Sequence, residues 1–394
     1  MKRPSCLLLA ASSAAIVALA ALPASTARRP RYGGTLRVEI GAAVTSLDAA
    51  VAAASVEETA TKAQIEALIY DHRNPDGTFS DPGPFRIAEW EPGKHATFAA
   101  NEDYPGGRPF VDAIEIQMGR AAKDRLVDLE VNKIDFAEIP PEQVRRAAER
   151  GTRVSTSQPD ELVALVFIVG RAAAGDARVR EAIANSIDRA AIVDFILQKE
   201  GEAAGGLLPQ WSSGTAFLFT TAPDAKHAKE LWSQIAPSPK IVLGYDSGDP
   251  QEQAIAERIV VNAREAGIGM TLQAVSSAAP AAPADASVDA RLVRMTMASR
   301  LPRAALASFA GVLNPLAGLN GDPLSDPASP EQIYEYERSI VRSFSVVPIA
   351  WVPKVYGLSA RVRDWKAPGP GETWPLADVW LDSTGEASIE KVNP

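Results

Sequence analysis

The segment from Lys240 to Val275 limits the possible folds more than any other part of the sequence. Lys240–Tyr245 has the length and apolar content of a strand, Asp249–Ala266 reads as a helix that Gly267 ends, and Met270–Val275 reads as a second strand. Strands joined through a helix lie parallel in one sheet, with a right-handed crossover. The chain is therefore predicted to be an α/β protein.

Other segments support this class. Val163–Val169 is a continuous apolar run of strand length, which predicts a strand buried on both faces. Ala121–Val131 is predicted to be a helix with two leucines facing inward. A helix capped by Asp188 is predicted to bury Ile192, Phe195 and Ile196.

The first 27 residues have the order of a secretory signal peptide. Lys2 and Arg3 precede an apolar run from Cys6 to Leu22, and small residues follow up to Ala27. The run is shorter than the ~20 residues of a membrane span, which is the alternative. Cys6 is the only cysteine, so none follows the run to carry a lipid anchor. We expect a periplasmic protein without disulfides or a lipid anchor.

Bulk composition narrows the choice of partners. The chain has 394 residues, 46% of them apolar, and a formal net charge of −9. It is long enough for two lobes, and its acidity argues against binding nucleic acid or anionic lipid. We expect a monomer.

Catalytic and metal-binding motifs are missing. The sequence has no Gly-x-Ser-x-Gly elbow, P-loop or Gly-x-Gly-x-x-Gly, and His72, His95 and His227 lie far apart. We therefore predict no catalytic residues, metal or cofactor, against the alternative of an extracytoplasmic hydrolase. Glu138 and Glu142, which flank a Pro-Pro turn, read either as solvated loop charges or as an acid–base pair.

Five stretches, taken in order, resemble one family. They are Gly33–Val38 with Ser46–Asp48, Gly83–Lys94, Asn101–Ile116, Asp176–Ala182 with Ile187–Ile192, and Ala266–Met270. Together they are similar to the periplasmic solute-binding proteins of the oligopeptide/dipeptide/nickel ABC importers. The resemblance covers roughly residues 32–48, 82–275 and 331–365.

The resemblance implies a two-lobed α/β periplasmic-binding-protein architecture that closes on a ligand. We expect lobe one to comprise residues 28–111 and 296–394, and lobe two residues 112–295. The implied function is capture of a peptide or other small solute in the interlobe cleft and delivery to an ABC permease of the inner membrane.

Two departures from the family pattern leave an alternative open. Only Ala49–Asp81 separates the Ser-Leu-Asp stretch from the Gly-Pro hairpin, which implies a shortened first lobe. Arg294-Met295-Thr296-Met297 stands where the family has an acid that contacts a peptide's amino end. The alternative is a family member that has lost transport and acts as a sensor or interaction scaffold.

Four residues are predicted to contact the ligand. Phe167, Arg171 and Met295 lie on or just after strands predicted for lobe two, and Trp211 lies in a loop rich in Gly and Pro. Packing or surface roles are the alternative for all four.

Overall fold

The computed structural model describes residues 29–48, 51, 56–73, 79–213, 220–276, 287–319, 324 and 327–382. The predicted signal peptide, with Cys6, lies outside these residues. The chain divides into two units, residues 1–31 and 32–394, and everything below concerns the second. Within the described ranges, no helix has the length and apolar character that a membrane span requires.

Seventeen short strands are described. They are β1 (Thr35–Glu39), β2 (Tyr70–Arg73), β3 (Phe79–Pro82), β4 (Phe85–Glu91), β5 (His95–Ala100), β6 (Ala113–Gln117), β7 (Phe136–Ile139), β8 (Arg153–Thr156), β9 (Glu161–Phe167), β10 (Glu202–Ala203), β11 (Ile241–Asp246), β12 (Met270–Val275), β13 (Ala290–Thr296), β14 (Val346–Val352), β15 (Val355–Leu358), β16 (Val362–Arg363) and β17 (Trp380–Leu381).

The described α-helices lie between these strands. They are α1 (Val56–Ile69), α2 (Ala122–Glu130), α3 (Val144–Glu149), α4 (Ala172–Gly175), α5 (Ala177–Ser186), α6 (Arg189–Ala191), α7 (Gln210–Ser213), α8 (Ala225–Ser233), α9 (Pro250–Glu265), α10 (Pro302–Ala317) and α11 (Pro330–Arg342). A 3₁₀ turn over Pro141–Gln143 precedes α3, and a π-helical segment, Ile192–Ile196, follows α6.

Two mixed sheets organise the unit. The first has the strand order β4-β5-β6-β1-β7-β15-β8, in which β1 is parallel to both β6 and β7. The second has the order β10-β14-β9-β13-β11-β12, in which β11 is parallel to both β12 and β13. β9 runs antiparallel to its neighbours β13 and β14. The predicted α/β class and the β11-α9-β12 unit are confirmed.

Strand β9 forms the centre of the second sheet's core. Val163, Leu165 and Phe167 pack into the cluster on one face, and their neighbours Leu162, Ala164 and Val166 pack into the cluster on the other. A strand with both faces covered has no need for polar alternation. The prediction of burial on both faces is therefore confirmed for Val163–Phe167, whereas Val169, at the end of the predicted run, is 56% exposed.

The predicted helix caps form, but one predicted buried side chain is exposed. The Asp249 carboxylate accepts hydrogen bonds from the N–H groups of Gln251 and Glu252 at 2.9 and 3.0 Å, which fixes the start of α9. Asp188 likewise accepts from Ala191 N at 2.9 Å. The predicted burial of Phe195 is wrong, because its side chain is 74% exposed. The π-helical turn has a different periodicity from the α-helix on which that prediction rested.

The sheets do not divide the chain at the predicted lobe boundaries. β6, β7 and β8 belong to the first sheet, although residues 112–295 were assigned to lobe two, and β14 belongs to the second sheet. The chain crosses between the sheets at residues 157–160 and again at 353–354. Neither the charge pattern nor the alternation of helices and strands in the sequence predicts where the chain crosses between the sheets.

Candidate functional site

A cavity of about 920 Å³ lies between the two sheets. From the first sheet it is lined by the end of β7 and the start of β15, together with residues of α1 and the start of α2. From the second it is lined by β13, the start of β9, the end of β11 and the first turn of α9. β11 and β13 present their carboxyl ends, as parallel strands do at ligand sites. Antiparallel β9 presents its amino end instead.

Arg294 is the centre of the cavity wall formed by the second sheet. Its guanidinium donates to Asp249 Oδ2 at 2.7 Å, to Gln251 Oε1 at 2.6 Å and to Glu161 Oε2 at 3.1 Å. Burial disfavours the charge of Arg294, but Glu161 and Asp249 outweigh it, and the pKa of the guanidinium is raised. The guanidinium of Arg294 therefore has all of these partners within the wall.

The neighbouring carboxylates of this wall are also occupied. Glu252 Oε1 accepts from Asp246 N at 2.8 Å, and Asp246 Oδ1 accepts from Gly248 N at 2.8 Å. Burial raises the pKa of Glu252 to about 7, although the hydrogen bond from Asp246 N opposes the rise. The second wall presents a network of internally satisfied polar groups.

The wall formed by the first sheet carries charges without matching partners. Arg125 is only 9% exposed, yet its guanidinium makes no hydrogen bond or ion pair in the described structure, and its Nε is buried without an acceptor. The carboxylate of Glu138, on β7, likewise has no hydrogen bond or ion pair with any described residue. Buried charges are normally paired, so this wall is incomplete without a further group.

Aromatic side chains close one side of the cavity. Tyr356 and Trp374 line it, and Phe136 lies behind them, with ring centroids 5.5 Å from each. Burial, followed by the charge of Glu138, raises the pKa of the Tyr356 phenol, which therefore stays neutral. These rings give the cavity a rigid apolar surface beside its charged groups.

One side chain joins the two walls. Gln251 Nε2 donates to Glu142 Oε2 at 2.7 Å, while its Oε1 accepts from Arg294. Glu142 lies in the 3₁₀ turn after β7, and Gln251 lies in the first turn of α9. A neutral amide therefore connects the network of the second wall to the first.

The crossing segments lie side by side. Ser157 N donates to Lys354 O at 2.9 Å, and Asp160 N donates to Val352 O at 3.3 Å. Burial raises the pKa of Asp160 to about 7, although Lys354 opposes the rise. The Asp160 Oδ1 atom is buried without a hydrogen-bond partner. A buried acid thus occupies the point where the chain passes between the sheets.

None of the four predicted contact residues lines the cavity. Phe167 is in the core at the far end of β9, and Arg171 pairs with Asp289 at 3.4 Å beyond that end. Met295 packs into the core on the opposite face of β13 from Arg294, and Trp211 donates to Pro159 O at 3.2 Å. Ligand contact by these residues stays a prediction.

Sequence reasoning missed the residues that do line the cavity. Arg125 directly precedes Leu126, one of the two buried leucines of α2, and this position at the edge of a buried face was the available signal. Glu138 and Glu142, which the sequence offers either as solvated loop charges or as an acid–base pair, both line the cavity. Glu142 accepts a hydrogen bond there from Gln251. No group of three or more His, Cys, Asp or Glu in the described ranges could hold a metal ion.

Two mixed α/β sheets with a lined cavity between them have the architecture of a solute-binding protein. Residues 35–312 match the model of the bacterial extracellular solute-binding proteins, family 5, and the chain belongs to this family, as its motifs predicted. Members of this family are binding proteins, so the chain is not an enzyme, as predicted.

Curated relatives match over part of their length. The oligopeptide-binding protein AppA of Bacillus subtilis is 27% identical over 143 residues, which are 36% of this chain and 26% of AppA. Protein XP55 of Streptomyces lividans is 28% identical over 128 residues, 32% of this chain and 24% of XP55. The chain thus spans about a quarter of these relatives.

Solved structures share the fold at low identity. The substrate-binding protein CtaP of Listeria monocytogenes has a TM-score of 0.66 at 19% identity, covering 76% of this chain and 66% of CtaP. NikA of Brucella suis, solved with Fe(III)-EDTA, has a TM-score of 0.67 at 18% identity, covering 78% and 70%. AppA of B. subtilis, solved with a nonapeptide, has a TM-score of 0.58 at 17% identity, covering 76% and 66%. The predicted periplasmic-binding-protein fold is confirmed.

Proposed function

We propose that this chain is the solute receptor of an ABC importer, which captures a peptide or other small solute in the cavity between its sheets. The observation that carries the proposal is the cavity of about 920 Å³, lined from both sheets. Drug-sized and peptide-sized ligands occupy pockets of roughly 300–1,000 Å³. An unfilled cavity of this size supports a receptor over a scaffold whose cleft has collapsed.

The cavity and the crossing segments support a closing motion. Two lobes, each built on one sheet, would move about residues 157–160 and 353–354. These two segments pass between the sheets side by side and are hydrogen-bonded to each other. Solute that touches both walls would shift the population toward the closed form. Sheet membership supports lobe boundaries in these two segments rather than at residues 111 and 295.

Related proteins support the class of ligand. AppA was solved with a nonapeptide, a dipeptide-binding protein of Pseudoalteromonas with Met-Leu, and NikA of Staphylococcus aureus with Ni(L-His)2. These solutes combine carboxylate and amine groups, and the cavity of this chain has both acidic and basic linings.

The test combines ligand discovery with a blocked cavity. Native mass spectrometry of the protein purified from its own host should show a bound small molecule, and peptide pools should raise its melting temperature. Thr296→Trp places a large ring inside the cavity and should weaken both effects. The control Thr271→Trp places the same ring on an exposed position of β12 and should preserve them. Absence of any bound solute and of any shift with peptide pools would refute the receptor function.

The site of action and the partners belong to the same proposal. We propose cleavage after Ala27, release into the periplasm without a lipid anchor, and docking of the closed monomer on an inner-membrane permease. The N-terminal mass of the protein from the periplasmic fraction tests the first two points, and sedimentation tests the monomer. A mature protein that begins before Arg28, or that stays with the membrane, would contradict the proposal.

A further inference from the structure

Arg125 has the burial of a core residue and the chemistry of a ligand contact. Its side chain is nine-tenths buried, it lines the cavity, and it makes no hydrogen bond or ion pair with any described residue. A guanidinium taken from water costs several kcal/mol unless an anion or acceptors replace the lost hydration. The described part of the chain holds this charge at the cavity and supplies no partner for it.

The acidic side chains discussed for the cavity form no ion pair with Arg125 in the described structure. Glu161 and Asp249 are bound by Arg294, and Glu142 is bound by Gln251. Glu138, on the same wall, makes neither a hydrogen bond nor an ion pair with Arg125 in the described structure. Among the described residues, none of these acids is therefore the partner of Arg125.

The start of α2 adds a second attraction for an anion at this place. α2 has nine residues, its N-cap Ala121 provides no side-chain hydrogen bond, and Ala122 and Lys123 line the cavity. The uncapped N–H groups and the helix dipole favour negative charge near the first turn. Lys123 contributes a further positive charge beside Arg125.

We propose that Arg125 anchors a carboxylate group of the solute, supported by Lys123 and the first turn of α2. Arginine presents parallel N–H donors that match the two oxygens of a carboxylate. The inference rests on the proposed receptor function and narrows the cargo to carboxylate-bearing solutes. Glu138 is the other unmatched charge on this wall, so a solute that also carries an amine, such as a short peptide, fits best.

The experiment compares wild-type protein with Arg125→Gln, Arg125→Lys and the control Arg145→Gln. The Arg145 side chain is 82% exposed and pairs with Glu149, outside the cavity. The probes are a tripeptide pool with free carboxyl ends, the same pool as carboxyl-terminal amides, and succinate with citrate. Affinity is measured by calorimetry, and the melting temperature of the ligand-free proteins is recorded.

We expect the amide pool to bind about tenfold to a hundredfold more weakly than the free acids. Arg125→Gln should lose this preference, Arg125→Lys should keep part of it, and Arg145→Gln should keep it whole. Binding of succinate or citrate alone, dependent on Arg125, would support the anchor and assign the carboxylate to an organic acid. The melting temperature of Arg125→Gln without ligand should not fall, because the substitution breaks no hydrogen bond.

Two outcomes overturn the anchor while leaving the receptor function intact. One is equal binding of the amide and free-acid pools by wild-type protein. The other is an Arg125→Gln protein that keeps the preference for free acids, with or without a fall in melting temperature. If no probe binds wild-type protein, the receptor function fails, and the anchor fails with it.

Discussion

Replacing Asp160 with asparagine should stabilise the protein at alkaline pH and not at acidic pH. Asp160 is 4% exposed, and its Oδ1 has no hydrogen-bond partner. Burial raises its pKa from the ordinary 3.8 to about 7, so the folded protein holds a proton that the unfolded chain releases above about pH 4. Stability therefore falls as the pH rises from about 4 to about 7 and then stays level. Asparagine has nearly the same shape and no charge.

The size of the effect follows from the two pKa values. The difference between 3.8 and about 7 corresponds to about 4 kcal/mol of unfolding free energy once both states are ionised. Water in the neighbouring cavity and the charge of Lys354 reduce this figure. We expect Asp160→Asn to gain between about 1 and 3 kcal/mol at pH 8 and close to nothing at pH 4.

Urea unfolding between pH 4 and pH 8 measures both the gain and its pH dependence. Glu252 and Glu337 also have pKa values raised to about 7 by burial, and burial raises the pKa of Glu39 as well, so the variant should lose only part of the slope. The control Asp103→Asn changes a side chain that is 86% exposed and should alter the free energy by less than about 0.5 kcal/mol. Equal gains at pH 4 and pH 8, or destabilisation at pH 8, would refute the reasoning.

Two further substitutions probe the cavity wall and its support. Asp249→Ala removes the cap of α9 and one partner of Arg294, and urea unfolding should show a loss of about 2–4 kcal/mol; a loss below about 0.5 kcal/mol would show that the network adds no stability. Gly371→Ala places a Cβ against the Ala298 carbonyl at a φ of +75°, and calorimetry should show a loss of about 2 kcal/mol or more. The control Gly107→Ala has a positive φ but open space, so it should cost only about 1 kcal/mol; equal costs would contradict the steric argument.

Local signals were sufficient for much of the fold. The apolar run around Val163 was sufficient to predict a strand, and Asp249 was sufficient to predict the start of a helix. Both depend only on residues adjacent in the sequence, and both predictions are confirmed. Sheet membership depends instead on contacts between residues distant in sequence. β15 enters the first sheet between β7 and β8, from which it is separated by about two hundred residues. No local pattern encodes that insertion.

The candidate site shows why the four predicted contact residues do not line the cavity, although the strands were predicted correctly. Met295 lies on a strand that lines the cavity, but neighbouring side chains on a strand face opposite ways, so Arg294 and Thr296 line the cavity while Met295 is in the core. The prediction for Phe167 rests on its position near the end of a strand of lobe two. β9 is antiparallel to its neighbours, so its cavity end is Glu161. The direction of β9 relative to its neighbours, which the sequence alone does not reveal, therefore determines which of its ends reaches the cavity.

The amide link between Glu142 and Gln251 has a consequence for how the protein responds to its surroundings. One partner is neutral, so dissolved ions screen this link weakly, whereas attraction of an anionic cargo by Arg125 and Lys123 weakens as the Debye length shrinks from about 10 Å at 0.1 M to about 3 Å at 1 M. Rising salinity would therefore leave this link almost unchanged and weaken the binding of an anionic solute. Under the proposed receptor function, a bacterium whose outer compartment follows the salt content of its environment would capture such a solute best in dilute media.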